Sequence, residues 1–558
     1  MSTIDTSPDA ITTTDTATPR ADEAASEAGN VVSAVAAVLT SSDHKVIGRL
    51  FIAASLLAFL ACAVIGVLLG AERIDGSDTL LDADALPQLF IGFRIGLLYG
   101  VLVPIFLGLA VAVVPLQVGA RALAFPRLAM AGFWAWVGGI TIVIVALANN
   151  GGPGGGDAEM VELFLAGFAL SVIGLAAAAL PVATTVLTTR APGMRMSRVP
   201  FFSWSALVAA VGLLLVLPVL VGVLIYLYVD HRYTQALFGG TDGVGSWIGF
   251  ALTQPTSYLF ALPAAGVAAE LVPVTFRTRM PMRGAVYTGI GLIGVAALSA
   301  VTQQASHDVP WEGSGLDLDG FGDKLADLLP YAFFTLLPIL GVLVVMMVGA
   351  LAAKPAGDRR RPRITAPFVF AFLGLAMVFT GMLGGALVPI VDLGLQGTVF
   401  EEGALVYIVY GGVLAGLGAV AYWLPKLSGR LLPDKPALGL AVLGFLATVL
   451  AALPYYVAGF ADQPAASGVY EYSGRSELWN VLVTVGHGLM AIVVLGFVAL
   501  AAKALRSGPS AADDPWGAHT IEWSTPSPAP VDNFLETPTV MSPEPLLDLR
   551  AAPEGSDR

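Results

Sequence analysis

The chain has 558 residues, of which 56% are hydrophobic and only 12% are charged. Soluble globular proteins carry about 25% charged residues, so this composition excludes an ordinary soluble domain and indicates a membrane protein with many spans. The net charge of −13 lies largely in tails and loops and says little about partners, and the single cysteine, Cys62, excludes an intramolecular disulfide.

The order of polar and apolar segments predicts three regions. Residues 1–40 are rich in Ser, Thr, Ala and Asp and lack the basic start and short apolar core of a secretory signal, which predicts a disordered tail. Residues 41–506 form the predicted membrane domain, and residues 507–558 form a polar, Pro-rich tail that we expect to be extended.

The membrane domain contains twelve stretches that are long enough to span a bilayer. A helix needs about 20 apolar residues to cross the hydrocarbon core, and helices are the form in which such runs satisfy their backbone. The fold class predicted is therefore all-α, a polytopic bundle of twelve transmembrane helices. The predicted spans are 47–71, 87–117, 129–149, 160–187, 200–229, 245–272, 284–305, 328–353, 364–392, 401–424, 436–460 and 477–505.

Basic residues in alternate loops predict the orientation of the bundle. Loops rich in Lys and Arg face the cytoplasm, so we expect a multi-pass protein of the inner (plasma) membrane with both termini in the cytoplasm. The other set of loops carries only Arg73, Arg232, Lys324 and Arg475. The basic set contains Arg121, Arg127, Arg190, Arg195, Arg198, Arg277, Arg279, Arg283, Lys354, Arg359, Arg360, Arg361, Arg363, Lys426, Arg430 and Lys435.

Several short motifs follow these spans in a fixed order. They are DHK at 43–45, VPLQVG at 114–119, AFPRL at 124–128, TTVL at 184–187, RAPGM at 190–194, YWLPK at 422–426, DPWG at 514–517 and EWSTPSP at 522–528. Together with the twelve spans, they resemble subunit I of the heme–copper oxidases, of which cytochrome c oxidase is an example. The resemblance implies a bundle of three pseudo-repeated arcs. It also implies a low-spin heme between helices II and X, and a high-spin heme that faces copper between helices VI, VII and X.

The same motifs set the register of the family's metal ligands, which are histidines. In this chain the heme-ligand positions fall on Phe93, Ala404 and Val406, and the copper-ligand positions fall on Gln254, Thr302 and Gln303. Tyr258 matches the tyrosine that the family cross-links to a copper histidine. The family's proton-channel and heme-propionate positions fall on Ala122, Ala129, Thr256, Val342, Ser467 and Gly468.

The remaining candidates for a ligand are few. Of five histidines, only His487 lies inside a predicted span, and a single helical histidine is more often a hydrogen-bonded packing residue. Methionine can also hold heme iron, and Met377, Met382 and Met490 lie in predicted helices. We therefore predict that neither heme nor copper is bound, although the family implies both.

Arg94 is a charged residue next to the heme-ligand position Phe93. An arginine at the bilayer centre costs roughly 2.5–3.5 kcal/mol on insertion scales. Its side chain either snorkels to the outer surface or forms a structural ion pair with Glu401 or Glu402 at the start of the tenth span. Glu402 lies four residues before Val406 and shares its helix face.

Three functions are compatible with this sequence. The first is a non-catalytic structural or regulatory component of a respiratory membrane complex, which binds subunit II- or III-like proteins and no nucleic acid. The second is a terminal oxidase that oxidises cytochrome c, reduces oxygen and pumps protons, as the family implies. The third is a transporter or channel, whose polar lining would be Gln254, Thr256, Thr302, Gln303 and Gln304.

Overall fold

A computed structural model describes residues 33, 36–75, 80–82, 84–233, 237–302, 328–354, 361–468, 470 and 476–551. The chain divides into a short unit, Met1–Ser41, and a main unit, Ser42–Arg558. In the short unit, residues 36–39 are helical. The main unit contains the membrane domain and the C-terminal segment.

The described residues contain twelve helices that are long and apolar enough to cross a membrane, which confirms the predicted fold class. Their ends lie within a few residues of most predicted ends. They are α1 (His44–Glu72), α2 (Ala85–Gln117), α3 (Pro126–Ala148), α4 (Ala158–Thr188), α5 (Phe201–Arg232), α6 (Gly243–Phe276), α7 (Arg283–Val301), α8 (Leu328–Ala353), α9 (Ala366–Leu387), α10 (Val399–Ser428), α11 (Asp434–Gly459) and α12 (Glu477–Ser507).

Three helices form the centre of the bundle. The most apolar parts of α2, α6 and α10 are 94–100% buried, compared with 39–56% for the other nine spans. Consecutive outer helices pack on each other, and α12 packs on α1. The central helices carry four of the ligand positions assigned by the resemblance. Phe93, Ala404 and Val406 are buried, and Gln254 is partly buried.

Several spans are less regular than their sequences predict. Within α2 the backbone widens to a π-helix over Gly96–Leu102, and α6 is interrupted between Leu252 and Thr256. The predicted ninth span, 364–392, is too long, because α9 ends at Leu387 and Pro389, which has no backbone N–H, lies two residues later. The predicted seventh span, 284–305, can be compared with the structure only as far as residue 302, because residues 303–305 lie outside the described residues.

The segment after α12 folds back onto one end of the bundle. We call this the basic end; it comprises loops 118–125, 189–200, 277–282 and 429–433. The Asn533 Nδ2 donates to Ala120 O at 2.9 Å, and Val540 N donates to Pro192 O at 2.9 Å. The expectation of an extended tail is therefore wrong for residues 508–551, because polar groups of the tail pair with the ends of several helices. Residues 552–558 lie outside the described part of the chain.

Candidate functional site

An arginine and two glutamates form part of the contact between α2 and α10. Arg94 Nε donates to Glu402 Oε1 at 2.7 Å, and Nη2 contacts the same oxygen. Nη2 also lies 3.4 Å from Glu401 Oε2. The exposed fractions of the Arg94, Glu401 and Glu402 side chains are 13, 17 and 2%. The geometry is that of a largely buried ion pair rather than of an arginine that snorkels to the surface.

The start of α10 explains why two acidic residues lie here. The Thr398 hydroxyl accepts from Phe400 N at 3.3 Å and caps the helix. Glu401 and Glu402 then lie in the first turn, where the helix dipole favours negative charge. The Arg94 guanidinium also lies 4.8 Å from the centre of the Phe90 ring. The dipole of α10 and the positive charge of Arg94 on α2 thus both stabilise the carboxylates of Glu401 and Glu402.

Phe93 packs into an aromatic cluster between α2, α10 and α12. Its ring meets the His487 ring edge-on, with centroids 5.7 Å apart. His487 Nδ1 lies 2.6 Å from Tyr410 Oη, and Phe59 packs on the Tyr410 ring at 5.2 Å. The other ring nitrogen of His487, Nε2, is buried and has no hydrogen-bond partner among the described residues. His487 thus packs between helices and shares a hydrogen bond with Tyr410.

Phe93, Ala404 and Val406, the positions that the resemblance assigns to heme ligands, are closely packed by their neighbours. A heme-sized space between α2 and α10 would leave accessible area on the side chains that line it. Phe93, Ala404 and Val406 have exposed fractions of only 2, 0 and 0%. Heme iron in proteins is held by His, Cys, Met or Tyr, and Phe93, Ala404 and Val406 carry none of these donor groups. Met377, Met382 and Met490 belong to the same buried apolar core.

The positions assigned to copper are arranged differently. Gln254 lies at the interruption of α6, and its Nε2 has no partner among the described residues. Tyr258 Oη donates to Met382 O at 3.1 Å. Thr302 is exposed at the end of α7, where its hydroxyl donates to Leu298 O at 2.9 Å.

Of the three positions assigned to copper, Gln254 and Thr302 lie within the described residues. Gln303 lies outside the described residues, as does Gln304. The structure brings Gln254 and Tyr258 together around Gly385 of α9, where a Cβ would meet both side chains within 3 Å. No group of three or more His, Cys, Asp and Glu side chains that could hold a metal ion occurs within the described ranges. An amide and a phenol do not supply the neutral imidazole nitrogens that suit copper.

A small cavity with both polar and apolar lining residues lies beside Gln254. Its volume is about 180 Å³, and Glu401 lines it opposite the α6 interruption. Glu401 also accepts from Gly397 N at 2.8 Å and contacts Arg94. The cavity therefore adjoins the ion pair. Its other lining residues are Gly249, Thr253, Gly385, Val388, Pro389 and Gln396.

A second buried arginine, Arg73, lies at the end of the bundle opposite the basic end, and the sequence did not predict its burial. Arg73 follows α1 directly and is 1% exposed. Its Nη1 donates to Tyr455 Oη of α11 at 2.7 Å, and its Nη2 donates to Ala465 O. The sequence placed Arg73 in an outer loop, and only the adjacent acidic residue, Glu72, could have suggested a structured environment.

The motifs that carried the resemblance meet each other at the basic end. Gln117 Nε2 donates to Glu522 Oε1 at 3.1 Å, and Trp423 Nε1 donates to the same oxygen at 3.3 Å. Burial raises the pKa of the Glu522 carboxyl. Lys426 Nζ donates to Thr525 O at 2.6 Å. These residues fasten the C-terminal segment to the bundle, away from the contact between α2 and α10.

Residues 46–489 match the protein family described as "Cytochrome C and Quinol oxidase polypeptide I". The chain belongs to this family. The match begins in α1 and ends within α12, so it includes residues of all twelve helices. The resemblance predicted from the motifs is thereby confirmed at the level of the family.

Similar proteins within this oxidase polypeptide I family occur in several bacteria. The chain is 29% identical to cytochrome c oxidase subunit 1 of Corynebacterium glutamicum over 546 residues, which cover 92% of this chain and 88% of the relative. It is 28% identical to cytochrome c oxidase subunit 1 of Corynebacterium diphtheriae over 544 residues, with 92% and 91% covered. The similarity extends over nearly the whole of each protein.

Proposed function

We propose that this chain is a non-catalytic member of the oxidase polypeptide I family that keeps the bundle but has lost the residues that hold heme and copper. The observation that carries the proposal is the contact between α2 and α10. There, Phe93 and the pair of Arg94 with Glu402 pack where relatives would place a heme. Side chains that pack against each other gain dispersion contacts, which would be lost around an empty cavity of the size of a heme. The site is therefore stable without a cofactor.

Its proposed role is that of a structural or regulatory component in a respiratory membrane complex, together with subunit II- or III-like proteins. We place it in the plasma membrane with the basic end and both termini in the cytoplasm, because the Arg-rich loops lie at that end. The motif network of Gln117, Lys426 and Glu522 supports this role, since it fastens the C-terminal segment to the bundle.

Affinity purification from native membranes in a mild detergent tests this role. The expected result is a stable complex with other membrane proteins. Once those proteins have been removed with a stronger detergent, the purified chain should show no cytochrome c-dependent oxygen uptake over a membrane control. A chain that purifies alone would contradict the structural role. Oxygen uptake that follows the amount of purified chain would contradict the loss of catalysis.

A terminal oxidase is the second candidate, and the names of the relatives favour it. That reaction requires side chains that hold two hemes and a copper ion, and the positions derived from the motifs supply none. Cytochrome c oxidation by the purified chain, measured with and without added copper, separates this candidate from the first.

A transporter or channel is the third candidate, and the cavity between Gln254 and Glu401 favours it. Interrupted helices at membrane depth occur where backbone lines a cavity, and α6 is interrupted at this cavity. Solute or ion flux in liposomes tests the candidate. Flux that is abolished in Gln254→Leu would support it, and flux equal to that of protein-free liposomes would exclude it for the solutes used.

A further inference from the structure

A separate groove lies on the outside of the bundle at the basic end, between α1 and α12. Its volume is about 410 Å³, and α10 forms its floor through Val420 and Leu424. Leu56 and Leu60 of α1 face Val498 and Ala502 of α12 across it. This groove is distinct from the ion pair of Arg94 and Glu402, and neither of these residues lines it.

The mouth of the groove is positively charged. Arg49 lines it and is the one charged side chain among its described lining residues. Arg49 Nε donates to Lys45 O at 3.0 Å, while its two terminal nitrogens make no hydrogen bond within the described part of the chain. Arg506 is not a lining residue, but it lies four residues after Ala502 and so follows the same row of α12 just beyond the groove. Both arginines are exposed.

The length of the groove distinguishes between possible occupants. Arg49 and Leu60 are its limits on α1, and a helix rises 1.5 Å per residue, so the groove is roughly 16 Å long. The hydrocarbon core of a bilayer is about 30 Å thick. The groove therefore covers one leaflet, which suits a lipid acyl chain, whereas a transmembrane helix of a partner would need the full thickness.

We propose that this groove binds an anionic phospholipid from the leaflet at the basic end. One acyl chain lies between α1 and α12, and the phosphate is held by Arg49 and Arg506. Guanidinium groups bind phosphate oxygens through paired charge-assisted hydrogen bonds. Clusters of basic residues next to membrane helices recognise anionic headgroups. The proposal is independent of whether the chain binds heme.

Native mass spectrometry of the full-length protein in detergent tests the proposal, with phosphatidylglycerol and phosphatidylcholine of identical acyl chains as the two probes. The wild type should retain one phosphatidylglycerol more tightly than phosphatidylcholine. Arg49→Gln and Arg506→Gln should each weaken phosphatidylglycerol binding roughly five-fold. Arg127→Gln is the matched control, because Arg127 is an exposed arginine at the same end but outside the groove.

A second variant tests the groove without changing charge. Ala502→Trp places a large ring on an exposed position inside the groove and should abolish tight binding of phosphatidylglycerol. The proposal is overturned if Arg49→Gln behaves like Arg127→Gln. It is also overturned if the wild type binds the two lipids equally, which would mean that the groove holds only bulk membrane lipid, or if Ala502→Trp leaves binding unchanged.

Discussion

Replacement of Arg94 by leucine is the change that most directly probes the contact between α2 and α10. It leaves the carboxylate of Glu402 buried without its partner. Loss of one member of a buried ion pair costs about 3–5 kcal/mol of unfolding free energy. The Glu402 side chain is only 2% exposed and both Nε and Nη2 of Arg94 contact it, which places the expected loss within that range.

Two further variants test whether the effect depends on the buried charge of Glu402. Glu401→Gln should cost less than about 1 kcal/mol, since Glu401 is more exposed and its contact with Arg94 is longer, at 3.4 Å. The double variant Arg94→Leu/Glu402→Leu should recover most of the lost stability, because apolar side chains can replace a buried pair at little cost.

The assay is unfolding of the purified protein in mixed micelles by increasing fractions of SDS, followed by tryptophan fluorescence. The ranking expected is wild type, Glu401→Gln, the double variant, and Arg94→Leu as the least stable. If Arg94→Leu were as stable as the wild type, or only as weak as Glu401→Gln, the buried ion pair would have no structural role.

Three further variants probe other buried contacts. Tyr410→Phe should lose about 1–3 kcal/mol of unfolding free energy, because it leaves His487 Nδ1 buried without a partner; SDS unfolding measures it. Asn533→Ala removes hydrogen bonds to His44, Lys45 and Ala120 O and should cost about 2–3 kcal/mol locally, seen as faster hydrogen exchange in residues 529–540. Burial, with Arg550 nearby, lowers the pKa of His519 from 6.5 to about 4, so attachment of the C-terminal segment should weaken as pH falls from 6.5 to 4 and stay constant above 6.5. Hydrogen exchange of residues 545–551 in the wild type and in His519→Gln, compared across this range, isolates that contribution.

Each of these variants has a control or a refuting result. Tyr407→Phe is the control for Tyr410→Phe, because the Tyr407 hydroxyl makes no hydrogen bond within the described residues, and equal effects would exclude a role for the His487 contact. Unchanged exchange in Asn533→Ala would show that the tail is held elsewhere. His519 binds a proton more readily when the segment is detached than when it is packed, so a fall in pH favours the detached state. Identical pH profiles of hydrogen exchange in the wild type and in His519→Gln would contradict this.

The fold was predictable because each span carries its own signal. In lipid, the backbone N–H and C=O groups of a span can form hydrogen bonds only within their own helix. A sufficiently long apolar run therefore predicts a helix without knowledge of its neighbours. The interruption of α6 and the π-helical stretch Gly96–Leu102 were not predictable in this way. They depend on how the helices pack, which hydropathy does not report.

The site was predictable only in part, for a related reason. The pairing of Arg94 with Glu401 or Glu402 could be proposed from charge and helix register, since the arginine and the glutamates lie at a similar depth in the predicted membrane. The contact of His487 with Tyr410 did not follow, because it depends on the rotation of α10 and α12 about their axes. The pairing of Gln117 with Glu522 joins residues that are 405 positions apart in the chain, and no local pattern indicates it.

The central claim is that the bundle is complete without heme, and an optical spectrum tests it most directly. The protein should be purified from cells that are supplied with heme, and its heme content determined from the reduced-minus-oxidised spectrum. We expect no Soret band beyond that of a mock preparation from the same cells. A band that corresponds to about one heme per chain, retained through size-exclusion chromatography, would contradict the account.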